Sequence, residues 1–425
     1  MMASRHHKRP ALFSVCLVLC VFCSSLLAAQ GELRGSSLRW KTTTLQISVA
    51  STFGQEASSV KPGSDVQGAI RRSLESWQNV TNVDFELLDS SIQNVSGPGA
   101  RGDGVSLITI APTTENLLLF SKDLKTLPAT TRIFYDRRGF ITEADIVLNP
   151  YQQFSTDGSL GTYDLEATLA HEIGHLLGLD HSGVLGATMH EKIGKNGSAG
   201  AYGIQARRLS HDDIAAIRQL YGAPIDSECC GAVSGRLTIA AAKKPETLDV
   251  WVEETGTGRV FAKSRTAEDG SFKIGGLDTG SYSVYAQGAK AVSIGTRHIG
   301  DALIAIDAND KILKSLQRGR GNVQIQLIGL NSQLSELAVS LNRGETYRLF
   351  AGGVNLDPKQ ISIGFSSPNF AVTPGTIAAQ DFGESISVVS FEVLVDPQTP
   401  PGEYSIFVES AAGERRSLIG AIVVE

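Results

Sequence analysis

The segment His171-Glu172-Ile173-Gly174-His175-Leu176-Leu177-Gly178-Leu179-Asp180-His181 places three imidazoles, two carboxylates and two glycines within eleven residues. On a helix, His171 and His175 share one face, about 5–6 Å apart at Cβ. That separation lets two imidazoles converge on one ion at about 2.0–2.1 Å each. His181 stands six residues further on, which on a continuing helix is a rotation of about 240° away from that face. The chain must therefore turn sharply, and Gly178 is the residue able to take the left-handed conformation that ends a helix. Three histidine ligands leave one tetrahedral position for water, the pattern of a catalytic rather than a structural zinc site. Glu172 neighbours a ligand and can face that water as a general base. The chemistry that follows is hydrolytic. The water's pKa falls toward neutrality, Glu172 accepts its proton, and the hydroxide attacks a scissile carbonyl. The metal stabilises the oxyanion, and Glu172 returns the proton to the leaving amine. The competing reading, satisfied helix histidines around a core, is weakened by chance. His-Glu-x-x-His arises in a chain of this size about once in a hundred, and the further Gly178 and His181 lower this to the order of one in tens of thousands.

Several elements must hold these residues. Residues 38–53 alternate polar with apolar side chains (Leu45, Ile47, Val49), a strand signal. Ser64 with Gln67 reads as a capping box opening a helix, whose apolar stripe runs Val66, Ala69, Ile70, Leu74, Trp77. Strands are expected near Val105 to Ile110, Arg132 to Tyr135 and Ala144 to Asn149. A helix starting around Asp164 carries the histidines, and a last helix runs from after Ser210 to Tyr221, before Gly222. Beyond Gly222 helical periodicity disappears, and short alternating segments are separated by Gly, Asp and Asn turns. Boundaries are placed at Ala223 to Cys230 and near Arg318 to Gly321.

The extended histidine motif resembles the metzincin signature, which also requires a downstream Met-turn. Met189, in Ala187-Thr188-Met189, fills that place eight residues beyond His181. Within metzincins the chain is similar to the matrixins. Ser182 follows the third histidine. Ser76-Trp77-Gln78-Asn79-Val80-Thr81 resembles the matrixin first-helix exit, and Ala144-Asp145-Ile146 its metal-proximal strand. Leu209-Ser210-His211-Asp212-Asp213-Ile214 through Leu220-Tyr221-Gly222 resembles its last helix. The likeness spans about residues 38–222. It implies an α+β zincin domain with a cleft between a sheet-bearing upper lobe and a small lower lobe, cleaving internal peptide bonds. It also implies that Met189 forms an apolar floor under the histidines, and that Asp212 and Asp213 pin the last helix to neighbouring backbone.

Three departures from the family stand out. The catalytic strand begins within a dozen residues of the expected leader cleavage, and no cysteine lies between residues 30 and 228, so a propeptide with a zinc-blocking cysteine is missing. No histidine occurs from residue 30 to 170, so a second, structural zinc is not expected, while a bound calcium stays undecided. Met189 is followed by His190-Glu191 rather than tyrosine and proline, so the pocket wall differs.

Composition bounds the rest. Residues 1–29 have a cationic start (Arg5 to Arg9), an apolar run from Ala11 to Ala28, and small residues at Ala28 and Ala29: a secretory signal peptide cleaved after Ala29. The run is near the lower limit for spanning a membrane, which disfavours an uncleaved anchor. Residues 1–29 carry three cations (Arg5, Lys8, Arg9) and no acid. Without them, 35 Lys and Arg face 44 Asp and Glu, a balance of −9. An acidic chain without a basic stripe is a poor partner for nucleic acid or an anionic membrane. A secreted or extracellular location is expected, with periplasmic or cell-surface association open. Cys229 and Cys230 are adjacent. They can pair with each other, stay free or link to another chain.

Smaller signals read more plainly. His190 is expected at a pocket rim, and Glu191 holds the place where some metzincins have a metal-binding tyrosine. His211 is expected at the surface of a helix start. Asp164 and Glu166 suit a helix N-terminus. Residues 194–203 are Gly-rich and expected to rim the specificity pocket. Asn79, Asn94 and Asn196 head Asn-x-Ser/Thr triplets. Residues 231–317, with Asp269-Gly270-Ser271-Phe272-Lys273-Ile274-Gly275-Gly276-Leu277, resemble carboxypeptidase regulatory-like (transthyretin-like) sandwiches, and Asp-Gly there starts a tight hairpin. Residues 320–425 read as an Ig-like sandwich.

The expectation is a multi-domain chain, an α+β metzincin catalytic domain followed by two all-β sandwich modules. The expected activity is a secreted zinc endopeptidase acting on protein or peptide substrates. Its metal is one catalytic Zn2+ on His171, His175 and His181, its base is Glu172, and Met189 supports the site. The alternative is a catalytically silent zincin that binds a cell surface or carbohydrate through its β modules.

Overall fold

The structure is a computed structural model. It describes residues 38–425 apart from 55–57, 98–100, 122–124, 199–206, 228, 240–246, 289–296, 300–311, 317–322 and 384–385. The signal-peptide segment, part of the Gly-rich stretch and the boundary near 318–321 therefore lie outside the described residues.

The N-terminal half runs β1 (Arg39–Trp40), β2 (Thr44–Ala50), α1 (Val66–Gln78), β3 (Asp84–Ser90), β4 (Ser106–Thr109), α2 (Thr114–Leu118), β5 (Ala129–Tyr135), β6 (Phe140–Leu148), β7 (Phe154–Ser155), β8 (Tyr163–Asp164), α3 (Leu165–Leu176) and α4 (His211–Tyr221). Its main sheet is ordered β1-β6-β4-β2-β3, all parallel, and β5 adds antiparallel to β6. In β2 the alternation does what the pattern asks: Leu45, Ile47 and Val49 are buried, while Thr44 and Gln46 face solvent. β3 breaks the rule. Leu87 and Leu88 are both exposed on this edge strand, so no alternation marked it in the sequence.

Helix α1 starts one residue later than the Ser64 cap predicts. Asp65 is the N-cap, its carboxylate accepting from the Gly68 N–H at 2.9 Å, because a carboxylate one position on reaches the first free donors equally well. Ala69, Ile70, Leu74 and Trp77 bury its apolar face against α3 and the sheet. The Trp77 indole N–H donates to the Ala170 carbonyl at 2.8 Å, tying α1 to the helix of the histidines. One hydrophobic core unites β2, α1, β6 and α3.

From residue 229 onward the described elements are all strands. They are β9 (Cys229–Ile239), β10 (Leu248–Glu254), β11 (Val260–Arg265), β12 (Ser271–Asp278), β13 (Tyr282–Gly288), β14 (Arg297–Ile299), β15 (Ile312–Leu316) and β16 (Gln324–Leu330). There follow β17 (Val339–Leu341), β18 (Thr346–Val354), β19 (Ile361–Phe365), β20 (Phe370–Val372), β21 (Ala378–Gln380), β22 (Ser387–Val395), β23 (Gly402–Ser410) and β24 (Arg415–Val424). Sheets β11-β10-β13-β14 and β12-β9-β15 enclose a core of Val250, Val252, Phe272, Ile274 and Tyr282. Sheets β16-β18-β22-β20 and β17-β24-β23-β19 enclose a second core around Phe391, Tyr404 and Ile422. Cys229 and Cys230 are disulfide-bonded to each other.

Candidate metal centre

Helix α3 begins where Asp164 accepts from the Ala167 N–H at 2.9 Å. Arg207 pairs with Asp164 at 2.6 Å, and Arg72 with Glu166 at 2.8 Å, so the carboxylates expected at this N-terminus are locked in place. The helix is buried along nearly its whole length. It ends at a glycine that two constraints demand. Gly178 has φ +96°, and a Cβ there would lie 2.2 Å from the Leu38 carbonyl oxygen. The Leu179 N–H closes back on the Gly174 carbonyl at 2.9 Å. The chain then reverses and presents His181 to the two helix histidines.

The three imidazoles meet edge on. His175 Nε2 lies 3.1 Å from His171 Nε2 and 3.2 Å from His181 Nε2. The Nδ1 atoms of the helix pair face backbone carbonyls, His171 toward Thr188 at 2.7 Å and His175 toward Leu179 at 2.9 Å. Each Nδ1–H therefore donates outward, and each Nε2 turns an unprotonated lone pair to the common centre. Burial, with the neighbouring imidazoles, lowers the pKa of His171 to about 3, and burial lowers His175 to about 4. The Nε2 atoms of His171 and His175, each ring oriented from behind by a carbonyl, with His181 Nε2 3.2 Å from His175 Nε2, fit a tetrahedral zinc with nitrogens near 2.0–2.1 Å. Among the described residues this is the cluster of histidine, cysteine or acidic side chains able to hold a metal.

Glu172 is 3% exposed. The Thr131 hydroxyl, on β5, donates to its Oε2 at 2.5 Å and lies 3.1 Å from its backbone carbonyl. Burial pushes the Glu172 carboxyl up to about 7, against the opposing effect of that hydroxyl. Thr131 was not legible in the sequence, being one of two threonines on an ordinary strand, 41 positions from its partner.

Met189 is buried against the helix, where a Cβ on Gly174 would fall 2.2 Å from its Sδ. Asp213 fixes its turn, accepting from the Thr188 and Met189 N–H groups at 2.8 and 3.1 Å. The same carboxylate accepts from the N–H and hydroxyl of Ser210, the α4 N-cap, at 2.9 and 2.7 Å. Asp212 accepts from the Ser182 hydroxyl at 2.5 Å and from the Lys263 N–H at 2.6 Å.

Other singled-out residues fall outside the trio. His190 hydrogen-bonds through Nε2 to the Glu336 carbonyl at 3.1 Å, and Glu191 is exposed. His211 is not a surface residue. It is half-buried against Phe261, its Nδ1 3.3 Å from a Glu403 carboxylate, because β11 and β23 cover the start of α4. Asn196 is 2% exposed with its amide on the Thr162 hydroxyl, so its triplet is closed to modification in the folded chain, while Asn79 and Asn94 are exposed.

Comparison with known proteins agrees with this geometry. Residues 133–222 match the model of the Peptidase_M10 family, described as Matrixin. The chain is 29% identical over 196 residues to a hatching enzyme of Paracentrotus lividus, covering 44% of this chain and 27% of that protein. It is 27% identical over 197 residues to Metalloendoproteinase 1 of Glycine max, covering 43% and 53% respectively. The chain thus spans between about a quarter and about half of these relatives' lengths. Among solved structures, the major pilin subunit BcpA of Bacillus cereus aligns over 46% of this chain and 69% of its own at 12% identity. Its TM-score of 0.17 carries no argument about fold. The chain carries a matrixin-type metallopeptidase domain.

Proposed function

We propose that the protein is a secreted zinc-dependent endopeptidase that hydrolyses internal peptide bonds, with His171, His175 and His181 as ligands and Glu172 as general base. The observation that carries this reading is the convergence of three imidazole nitrogens, His171 and His181 Nε2 lying 3.1 and 3.2 Å from His175 Nε2, two of the rings oriented by backbone carbonyls, beside a buried glutamate. When bound, zinc supplies a Lewis acid that acidifies a water and polarises a carbonyl. Glu172 takes a proton from the attacking water and delivers it to the leaving amine. Thr131 holds Oε2 of that carboxylate, so Oε1 is the oxygen left to handle the proton. β5 pairs with β6 on one side and with no strand on the other among the described residues. An extended peptide can add along this edge, which runs past Glu172 because Thr131 belongs to it. Buried Met189 packs from below against Gly174, between the two helix ligands.

The leader-like residues 1–29 support export, and no described helix is long and apolar enough to cross a membrane. Hydrolysis of casein and of a quenched peptide library tests the reading. Activity should vanish with a zinc chelator, return with added zinc, and fall at least a thousandfold in Glu172→Ala. Turnover that survives this substitution refutes the assignment of the base.

A further inference from the structure

The third ligand and the Met-turn are the two ends of one irregular segment, Ser182 to His190, and its tip is held almost entirely by the C-terminal β units. Val184 is fully buried and Ala187 nearly so, in a cluster with Trp251 of β10, Val260 of β11 and Ile419 of β24. Leu185 packs on the last sandwich core, and its N–H donates to the Ile419 carbonyl at 3.0 Å. The two surfaces meet closely at two glycines. A Cβ on Gly420 would lie 2.3 Å from Val184 Cγ1, and one on Gly186 would lie 2.8 Å from Val423 Cγ2. Asp212 joins Ser182, directly after His181, to the backbone of Lys263 on β11. At the other end His190 donates to the Glu336 carbonyl, and Lys192 forms an ion pair with the Glu336 carboxylate.

We propose that the two C-terminal β units serve as the mould of the metal loop. Ile419 and Gly420 are then positioning residues for His181, and the metal-binding unit extends through residue 425 rather than ending at 222. The physical reason lies in the loop itself. The ends of this nine-residue segment are closed by the Ser182 N–H bond to the Met189 carbonyl at 2.7 Å and pinned by Asp212 and Asp213, but its tip, residues 184–187, offsets its ordering entropy against chain more than 60 residues downstream. His181, the exposed member of the trio, has no helix beneath it and depends most on that support. The assignment of a metal to the trio is the reading given above, and the inference about the loop rests on it only in part.

The test uses the full chain and three variants: Gly420→Ala, Ile419→Ala and, as control, Val393→Ala. Val393 is buried in β22, in the opposite sheet of the same sandwich. Zinc release to a chromogenic chelator should quicken at least tenfold in Ile419→Ala and Gly420→Ala, and stay within twofold of wild type in Val393→Ala. Amide exchange of residues 182–189 in the metal-free chain should quicken at least tenfold in the first two variants only. This second measurement stands even if the chain shows no peptidase activity. Unchanged release and exchange in both Ile419→Ala and Gly420→Ala would overturn the proposal. So would an equal loss in Val393→Ala, which would reduce the effect to general loosening of the sandwich.

Discussion

Thr131 is one hydrogen bond from the carboxylate that handles the proton, at 2.5 Å. Thr131→Val keeps the shape and removes the donor, so Glu172 keeps its place in the helix but loses its aim. We expect kcat to fall about tenfold to a hundredfold with KM within about twofold, and Thr131→Ser to recover most of the loss. Steady-state kinetics on one peptide decides it, and a change confined to KM would contradict the assigned role. Gly174 makes a different kind of demand. Its missing Cβ leaves room for Met189 Sδ and for Trp77 Cζ2, which would be 2.9 Å away. Gly174→Ala should overpack this junction and cost about 1–3 kcal/mol in urea unfolding. At this scale the sequence was most informative. The ligands, the base and the helix-ending Gly178 fall within eleven residues, where helix geometry alone relates them. Thr131 reaches Glu172 across the sheet, and no local spacing encodes that meeting.

The elements around the site are joined by buried carboxylates. Asp213 gathers three N–H groups and a hydroxyl from the Met-turn and the α4 cap. Asp213→Ala strands these donors, and a loss of at least about 3 kcal/mol is expected by denaturant titration. Asp145 on β6 accepts from the Leu107 N–H at 3.0 Å and the Ser96 N–H at 3.3 Å, and burial pushes its carboxyl up to about 7. Such a group binds its proton more tightly in the folded chain than in the unfolded one, where it titrates near 4. Its stabilising effect is full below about pH 4 and is lost as the pH rises toward 7. The thermal midpoint should therefore drop more steeply between pH 5 and 8 in the wild type than in Asp145→Asn. Equal slopes would show that Asp145 is ionised throughout. Boundaries of helices α3 and α4 were legible because a capping side chain and a terminal glycine bracket each of them. The start of α1 was misread by one residue, since Ser64 and Asp65 are both good caps and only the fold selects between them.

In the whole molecule, residues 35–425 form one compact unit. The change from helical to strand periodicity after Gly222 was visible in the sequence. The docking of those strands onto Val184 and Leu185 was not, because any short apolar pair in a loop looks alike until its distant neighbours are known. One further meeting has a practical side. Trp40 donates its N–H to the Tyr221 hydroxyl at 2.9 Å, and that hydroxyl donates to the Leu177 carbonyl at 2.6 Å. Residues 38–222 thus begin and finish at the same place, the geometry that favours moving a stretch of chain into a new host as a cassette. The cassette would nevertheless arrive with a sticky underside. Cut free at 222, it bares Val184, Ala187 and Leu185 to water, and on size-exclusion chromatography it should elute as aggregates unless those three are recoded as polar residues.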